Sequence, residues 1–237
     1  MSVPQEYGVD QLIELLSPSR NKKTVTGVIT EASSDVAIVK LLDGRTTSLP
    51  ITEFYPNKKF VIGSKFIFIT DEDDELNRPK ISTNSDELIE LLFASVVPEL
   101  RTGQVRVVRV ARSPGIRSKI AVAATEEGID AVGCFIGKAA NRVSMVSKLL
   151  SGERLDIVAY HPEIDVFIRN TIGVRVNSID STDGLTNLRV PAHQYQAAVG
   201  GGGMNAILTA KLIGKRISIL PDEDVDLLSS TGNNTIV

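Results

Sequence analysis

One cysteine and two histidines are all that 237 residues offer of the side chains that most often attack substrates or hold transition metals. The single Cys134 excludes an internal disulfide, and with Phe135 and Ile136 after it the residue reads as a small buried hydrophobe rather than a nucleophile. His161 stands before Pro162 in a turn and His193 has no second ligand or acid near it, so both read as structural or exposed. No acid–base pair or catalytic triad can be assembled, and the chain is expected to be no enzyme and to carry no cofactor or metal. Asp222-Glu223-Asp224 reads as a solvated acidic end, although a cluster of this kind can bind a metal. There is no signal-type start and no apolar run long enough to cross a bilayer, which points to a cytoplasmic chain without a membrane partner. Charge of one sign is missing too. A net charge of −3 and a pI near 5.5 exclude a uniformly basic coat, so any anion site must be local.

What the sequence has instead is glycine in one place. Gly200-Gly201-Gly202-Gly203 separates a helix-like segment, Pro191 to Val199, from another, Met204 to Ile213. Such a run is either a flexible turn or a loop that binds through its backbone, since a chain without Cβ atoms can take positive φ and present N–H groups at the next helix start to an anion. A second copy favours binding. A shift of 63 residues carries Gly137 onto Gly200 and Lys148-Leu149 onto Lys211-Leu212, and omitting Ser151 then sets Gly152 on Gly214 and Arg154 on Arg216. Each copy reads as strand pair, glycine loop, apolar helix, glycine stop and short strand. The strand pairs are Gln104 to Val110 with Lys119 to Ala123, turning at Pro114-Gly115, and Val174 to Ile179 with Leu185 to Val190, turning at Asp183-Gly184. Between Arg101 and Val158 ten Lys/Arg face five acids, the local basic excess that the whole chain lacks.

The first eighty residues differ in texture. Val25 to Ile29, Val36 to Leu41, Thr46 to Leu49 and Ser64 to Ile69 are short β-type runs punctuated by Asp43-Gly44 and Ile62-Gly63, a pattern that predicts a small barrel. Asn84 as N-cap with Glu87 three residues on predicts a helix through Leu88 to Phe93 that packs on its apolar stripe and joins barrel to repeats. Asp71 to Glu75 reads as a solvated loop. Gly133 to Ala139 comes near a phosphate-binding P-loop but has three residues between its glycines where four are needed, and Ala139 where a hydroxyl must reach the metal.

Several stretches carry a family resemblance. Arg112-Ser113-Pro114-Gly115-Ile116-Arg117-Ser118-Lys119-Ile120-Ala121-Val122 is similar to a KH strand hairpin, and Asp130 to Gly137 with Asn141-Arg142-Val143 to the loop and helix that follow it. Gly152 to Val158 is similar to the last strand, and Val97-Pro98-Glu99-Leu100 to the entry segment. Together these resemble the S1–KH–KH portion of the NusA family of transcription termination and antitermination factors. The resemblance implies an α+β multidomain chain: an N-terminal segment at 1–20, an S1-like OB β-barrel at 21–83, a linking helix at 84–97, two tandem type II KH domains at 98–160 and 161–226, and a tail at 227–237.

It also implies a cytoplasmic RNA-binding factor that holds nascent single-stranded RNA and modulates pausing, termination and antitermination, with RNA polymerase and other Nus-type factors as partners. About twenty residues precede the first barrel strand where the family pattern has a polymerase-binding domain, so docking by that surface is not expected. An RNA chaperone working on ribosomal or messenger RNA, or an RNA-binding accessory of a degradation complex, are the alternatives. The implied RNA contacts are Gly137, Lys138, Ala139, Ala140 and Arg142 in the first repeat, Gly200, Gly201, Gly202 and Gly203 in the second, and Arg112, Arg117 and Lys119 on the hairpin. Arg154 and Arg216 read as helix-end caps. The KH loop is Gly-X-X-Gly, and Ala140 replaces its last glycine, so the first loop has either changed shape or kept it under strain; the change of shape is the expectation. No aromatic lies between Val36 and Leu49 for base stacking, and Phe54, Tyr55, Phe66 and Phe68 read as core and rim.

Overall fold

The computed structural model of the chain describes residues 23–73 and 78–222, which form two compact units that divide between Tyr160 and His161. The N-terminal segment 1–20, the tail 227–237, Glu223, Asp224 and the end of the acidic stretch at 74–75 lie outside the described residues.

The first unit opens with five antiparallel strands, β1 (Lys23–Ala32), β2 (Val36–Leu41), β3 (Thr46–Pro50), β4 (Lys65–Asp73) and β5 (Pro79–Ser82), in the order β3-β2-β1-β4-β5. Strict alternation places Ala37, Val39, Leu41, Thr47 and Leu49 on the inner face. The Thr47 hydroxyl donates to the Pro79 carbonyl at 2.7 Å, which draws the outer strands β3 and β5 together and nearly closes the sheet. Closure demands a sharp bend in β1. The bulge in its pairing with β2 lies between Ile29 and Glu31, and Gly27 lets the two strands pack closely, because a Cβ there would stand 2.4 Å from Val39 Cγ1. Phe54, Tyr55 and Phe68 are fully buried in this core, and Phe66 joins their rings from its edge. The acidic stretch is not simply a loop: β4 runs on through Asp73.

Helix α1 (Glu87–Val96) buries Leu88, Ile89, Leu92 and Phe93, one stripe worth about 1.5–3 kcal/mol per side chain. The stripe packs on Ile67 and Ile69 of the barrel and on Val105, Ile120, Val122 and Phe135 of the first α/β repeat, so the helix joins the two through one shared core. Its start differs from the sequence reading. Asn84 is no N-cap: its amide donates to the Thr52 carbonyl at 2.7 Å, and the Ser85 hydroxyl accepts from the Glu87 N–H at 3.2 Å instead. A short helix α2 (Pro98–Arg101) leads into β6 (Val105–Ser113), β7 (Arg117–Ala124), α3 (Ala131–Ile136), a 3-10 turn (Lys138–Ala140), α4 (Asn141–Leu149) and β8 (Arg154–Ala159). The sheet order is β6-β7-β8, antiparallel and then parallel. Tyr55 lies against the β6–β7 turn, where a Cβ on Gly115 would be 3.1 Å from its ring, and Lys58 donates to the Ser151 carbonyl at 2.8 Å.

The second unit repeats this order. After α5 (Ile164–Ile172), which the sequence reading passes over, come β9 (Ser178–Thr182), β10 (Leu185–Pro191), a 3-10 turn (Ala192–Gln194), α6 (Tyr195–Val199), a 3-10 turn (Gly201–Gly203), α7 (Met204–Ile213) and β11 (Arg216–Asp222). β10 pairs antiparallel with β9 and parallel with β11, as β7 does with β6 and β8. Asp183 and Gly184 both hold positive φ, 52° and 76°, the backbone of a two-residue hairpin turn. Phe167, Ile168 and Ile172 of α5 are buried with Leu208, Leu212 and Ile213 of α7. Among the described residues no helix is long and apolar enough to cross a membrane.

Candidate nucleic-acid interface

The two glycine loops follow one backbone path. Gly137 stands at φ 75°, ψ 172° and Gly200 at 76°, 164°; Ala139 at 52°, 32° and Gly202 at 59°, 21°; Ala140 at 59°, 26° and Gly203 at 74°, 7°. The internal bonds match as well: the Ala140 N–H donates to Gly137 at 3.1 Å and the Gly203 N–H to Gly200 at 3.0 Å. This overturns the expected change of shape in the first loop. Two consecutive alanines are held left-handed, at a cost of roughly 1–2 kcal/mol each, and the loop keeps the form that glycine gives the second repeat. Neither α4 nor α7 is capped by a side chain; the Asn141 and Met204 N–H groups at their starts donate instead to the Lys138 and Gly201 carbonyls of the loops.

The loops differ in their side chains. Lys138 is exposed and makes no ion pair among the described residues, whereas Gly201 and Gly202 are exposed without any side chain. The cleft beside the first loop is lined by Glu99, Asp130, Gly133, Cys134, Lys138 and Arg142. Arg142 is engaged within it, 3.0 Å from the Glu99 carboxylate and donating at 2.7 Å to the Cys134 carbonyl. Burial, and then the Glu99 charge, push the Cys134 thiol upward, which keeps it protonated.

The hairpin cations are a correction. Arg112 is buried, and its guanidinium forks onto Glu153 with contacts of 2.9 and 2.8 Å while a third nitrogen donates to the Ser85 carbonyl at 2.7 Å. Glu153, fully buried, also accepts from the Gly115 N–H at 2.8 Å and the Ser118 hydroxyl at 2.6 Å. That ion pair ties the hairpin to the strand after α4 and to the start of α1, and leaves Arg112 nothing for a phosphate. Lys119 is 2% exposed and lies 3.5 Å from Asp156, with burial pushing its ammonium down to about 8. Arg117 donates to the same carboxylate at 2.7 Å and Arg154 at 3.2 Å, so Arg154 is a strand partner of Asp156 and no helix cap. The local basic excess is real as a count, yet Glu153 and Asp156 absorb much of it from another strand.

His161 accepts from the Glu163 N–H at 3.1 Å, and His193 lies exposed beside the Gln194 amide. Asp222 accepts from the Asn177 amide at 3.2 Å. Among the described residues no three His, Cys, Asp or Glu side chains are grouped to hold a metal.

A three-stranded sheet of this order, backed by helices and carrying a glycine-led loop between two of them, defines the first α/β repeat as a KH module. The family model described as the NusA-like first KH domain matches residues 83–160. The chain is 31% identical over 211 residues to the transcription termination/antitermination protein NusA of Thermus thermophilus, covering 86% of this chain and 54% of that protein. NusA of Mycobacterium tuberculosis is 35% identical over 181 residues, 73% of this chain and 52% of its own length, and NusA of Bacillus subtilis 31% identical over 212 residues, 86% and 57%. The chain thus resembles NusA across most of its length and spans about half the length of the curated relatives it matches. The near-closed sheet at its start fits an S1-like domain.

Proposed function

We propose that the chain is the RNA-binding part of a transcription termination and antitermination factor, an S1-like barrel followed by two tandem KH domains, the second formed by residues 161–222. The observation that carries this reading is the shared backbone path of the two loops, kept in the first despite two left-handed alanines. A turn that served only to connect helices would have no reason to hold that strain. Each loop would set N–H groups against one or two phosphates of single-stranded RNA while the bases lie along the helix and sheet behind it. Lys138 adds one charge to the first loop; the second binds by backbone alone. Two linked modules raise each other's effective RNA concentration, so holding the nascent strand by equilibrium binding is the mechanism by which pausing, termination and antitermination would be modulated. RNA polymerase and other Nus-type factors are the partners this role requires, in the cytoplasm, and no chemical step is involved.

With Arg112, Arg117 and Lys119 committed internally, Arg142 matched by Glu99 and the second loop bringing no charge, Lys138 neutralises about one phosphate, for a log–log salt slope of roughly −0.7. Fluorescence anisotropy with labelled single-stranded RNA across a salt series tests this. Micromolar-range binding with duplex DNA much weaker is expected; equal affinity for the two would overturn the reading.

A further inference from the structure

Arg142 and Asn205 occupy one position in the two repeats, the second residue of the helix after each loop, and the shift of 63 residues carries one onto the other. Each turns its side chain back onto the helix before the loop. Arg142 Nη1 donates to the Cys134 carbonyl at 2.7 Å; Asn205 Nδ2 donates to the Ala198 carbonyl at 2.9 Å, reaches Ala197 at 3.4 Å, and donates to Ile172 at 3.0 Å. Cys134 and Ala197 are themselves equivalent under the shift. The Cys134, Ala197 and Ala198 carbonyls belong to the last turns of α3 and α6 and the Ile172 carbonyl to the end of α5, where a helix runs out of intrahelical donors. The same two side chains crowd the space beneath the first loop glycine, joined at Gly137 by Asn141, whose Oδ1 would be 2.3 Å from a Cβ there. A Cβ on Gly137 would lie 2.7 Å from Arg142 Cγ, and one on Gly200 would lie 2.8 Å from Asn205 Cβ. An arginine and an asparagine thus make the same bond across the same loop by side chains of different length and charge. Charge toward solution is not what the position supplies: Asn205 is 2% exposed and neutral, and Arg142 has its charge met by Glu99.

A loop that binds by its backbone contributes affinity in proportion to how little it must be ordered on binding, and fixing one residue's backbone costs about 1–2 kcal/mol. Four glycines between two helices are the worst case for this, and Asn205 lies under them. We propose that Arg142 and Asn205 are positioning residues, each clasping the two helices that flank its loop so that the loop N–H groups are aimed before RNA arrives, and that neither touches the RNA. The inference rests on the loops being the RNA-binding element, and it moves Arg142 from phosphate contact to support.

The salt slope separates the two roles, because a cation on a phosphate releases a counterion and a clasp does not. Labelled single-stranded RNA, titrated by anisotropy across a salt series on the whole chain, is the assay, with melting recorded alongside. Arg142→Met is expected to lose about fivefold to tenfold in affinity with the slope unchanged, and Arg142→Gln, neutral but still a donor, to stay within about twofold of the parent. Asn205→Ala is expected to lose a similar factor, and to lose nothing further when Gly201→Asp and Gly202→Asp have already disabled that loop, although its effect on melting persists. A slope that falls by about 0.7 in both Arg142 variants, with no rescue by glutamine, would make Arg142 a phosphate contact and overturn the proposal, as would unchanged affinity in Arg142→Met and Asn205→Ala. Should Asn205→Ala fail to fold, the Arg142 pair decides alone. If instead the double aspartate variant binds RNA like the parent, the loop reading itself fails, whatever the clasp variants do.

Discussion

Replacing Ala139 and Ala140 together by glycine is the sharpest probe of the first loop. Both hold φ between 52° and 59°, where a Cβ crowds the following carbonyl at roughly 1–2 kcal/mol per residue. Glycine removes that strain but gives the unfolded chain more freedom, which costs about 0.4–1 kcal/mol per site. The difference leaves a gain of about 0.7 kcal/mol for each, so about 1.5 kcal/mol for the pair and a rise of roughly 3–6 °C in melting temperature for a unit of this size. Ser151 offers the control: it stands at φ 62° in the turn before β8, away from the loop, and Ser151→Gly should stabilise by a similar single increment. Because the alanine loop already has the shape of the glycine loop, RNA affinity in the double variant should stay within about twofold of the parent. Urea denaturation and RNA anisotropy on the same samples give both readouts. A destabilisation of 1 kcal/mol or more would mean that the alanines sit at negative φ in a helix already begun, and the equivalence of the two loops would fall.

Four further outcomes are expected. Gly202→Ala with Gly203→Ala should cost about 0.7 kcal/mol per site and spare RNA binding, while Gly200→Ala, whose Cβ would meet the Asn205 backbone nitrogen at 2.9 Å, should weaken both stability and binding. Glu153→Gln should destabilise the first unit by about 3 kcal/mol or more in urea, since it strands the buried Arg112 guanidinium without its counter-charge. Lys119 releases its proton near 8 when folded and near 10.5 when unfolded, so the unfolded state binds more protons between those values and stability should climb with pH across that window, by on the order of 3 kcal/mol; Lys119→Met should lose the climb in urea titrations taken from pH 7.5 to 10. Lys138→Asp should weaken RNA binding at least several-fold and leave melting within a few degrees of the parent, and unchanged affinity would remove Lys138 from the interface.

Local signals were enough for the repeat and most strands, because alternation in Val36–Leu41 and the Asp183-Gly184 turn are decided by neighbours a few residues away. β5 escaped because it is four residues long and begins at Pro79, whose missing N–H suits only a strand start or an edge. Helix α5 escaped because no capping side chain marks its entry at Glu163 and Pro162 reads as a turn. The helix start at Asn84 was misplaced because Asn84 and Ser85 are both good caps in sequence, and only the distant Thr52 carbonyl decides which one is occupied elsewhere. Charge was the least legible property. Arg112 and Glu153 are 41 residues apart and Arg117 and Asp156 are 39 apart, so no window along the chain could show that the hairpin cations were already matched.

Two loops so unlike in sequence share a path because most of their positions constrain only the backbone. Only the first position of each is closed to a side chain, because Asn141 and Arg142 occupy the space a Cβ would need at Gly137, and Asn205 the space at Gly200. At Gly202 a Cβ would meet nothing within 4 Å, and at Gly203 only Ile207 Cδ1 at 3.8 Å, so the last two positions require a left-handed backbone and not an empty one. Alanine can meet that requirement at a cost in strain that a well-packed helix such as α4 can absorb, with Val146 and Leu149 buried in the shared core of the first unit. The second position is unconstrained in both loops, and there the sequences diverge to lysine and glycine. What the repeats hold in common is therefore the backbone and the residue beneath it, which is the pattern expected of a loop whose N–H groups, rather than its side chains, do the binding.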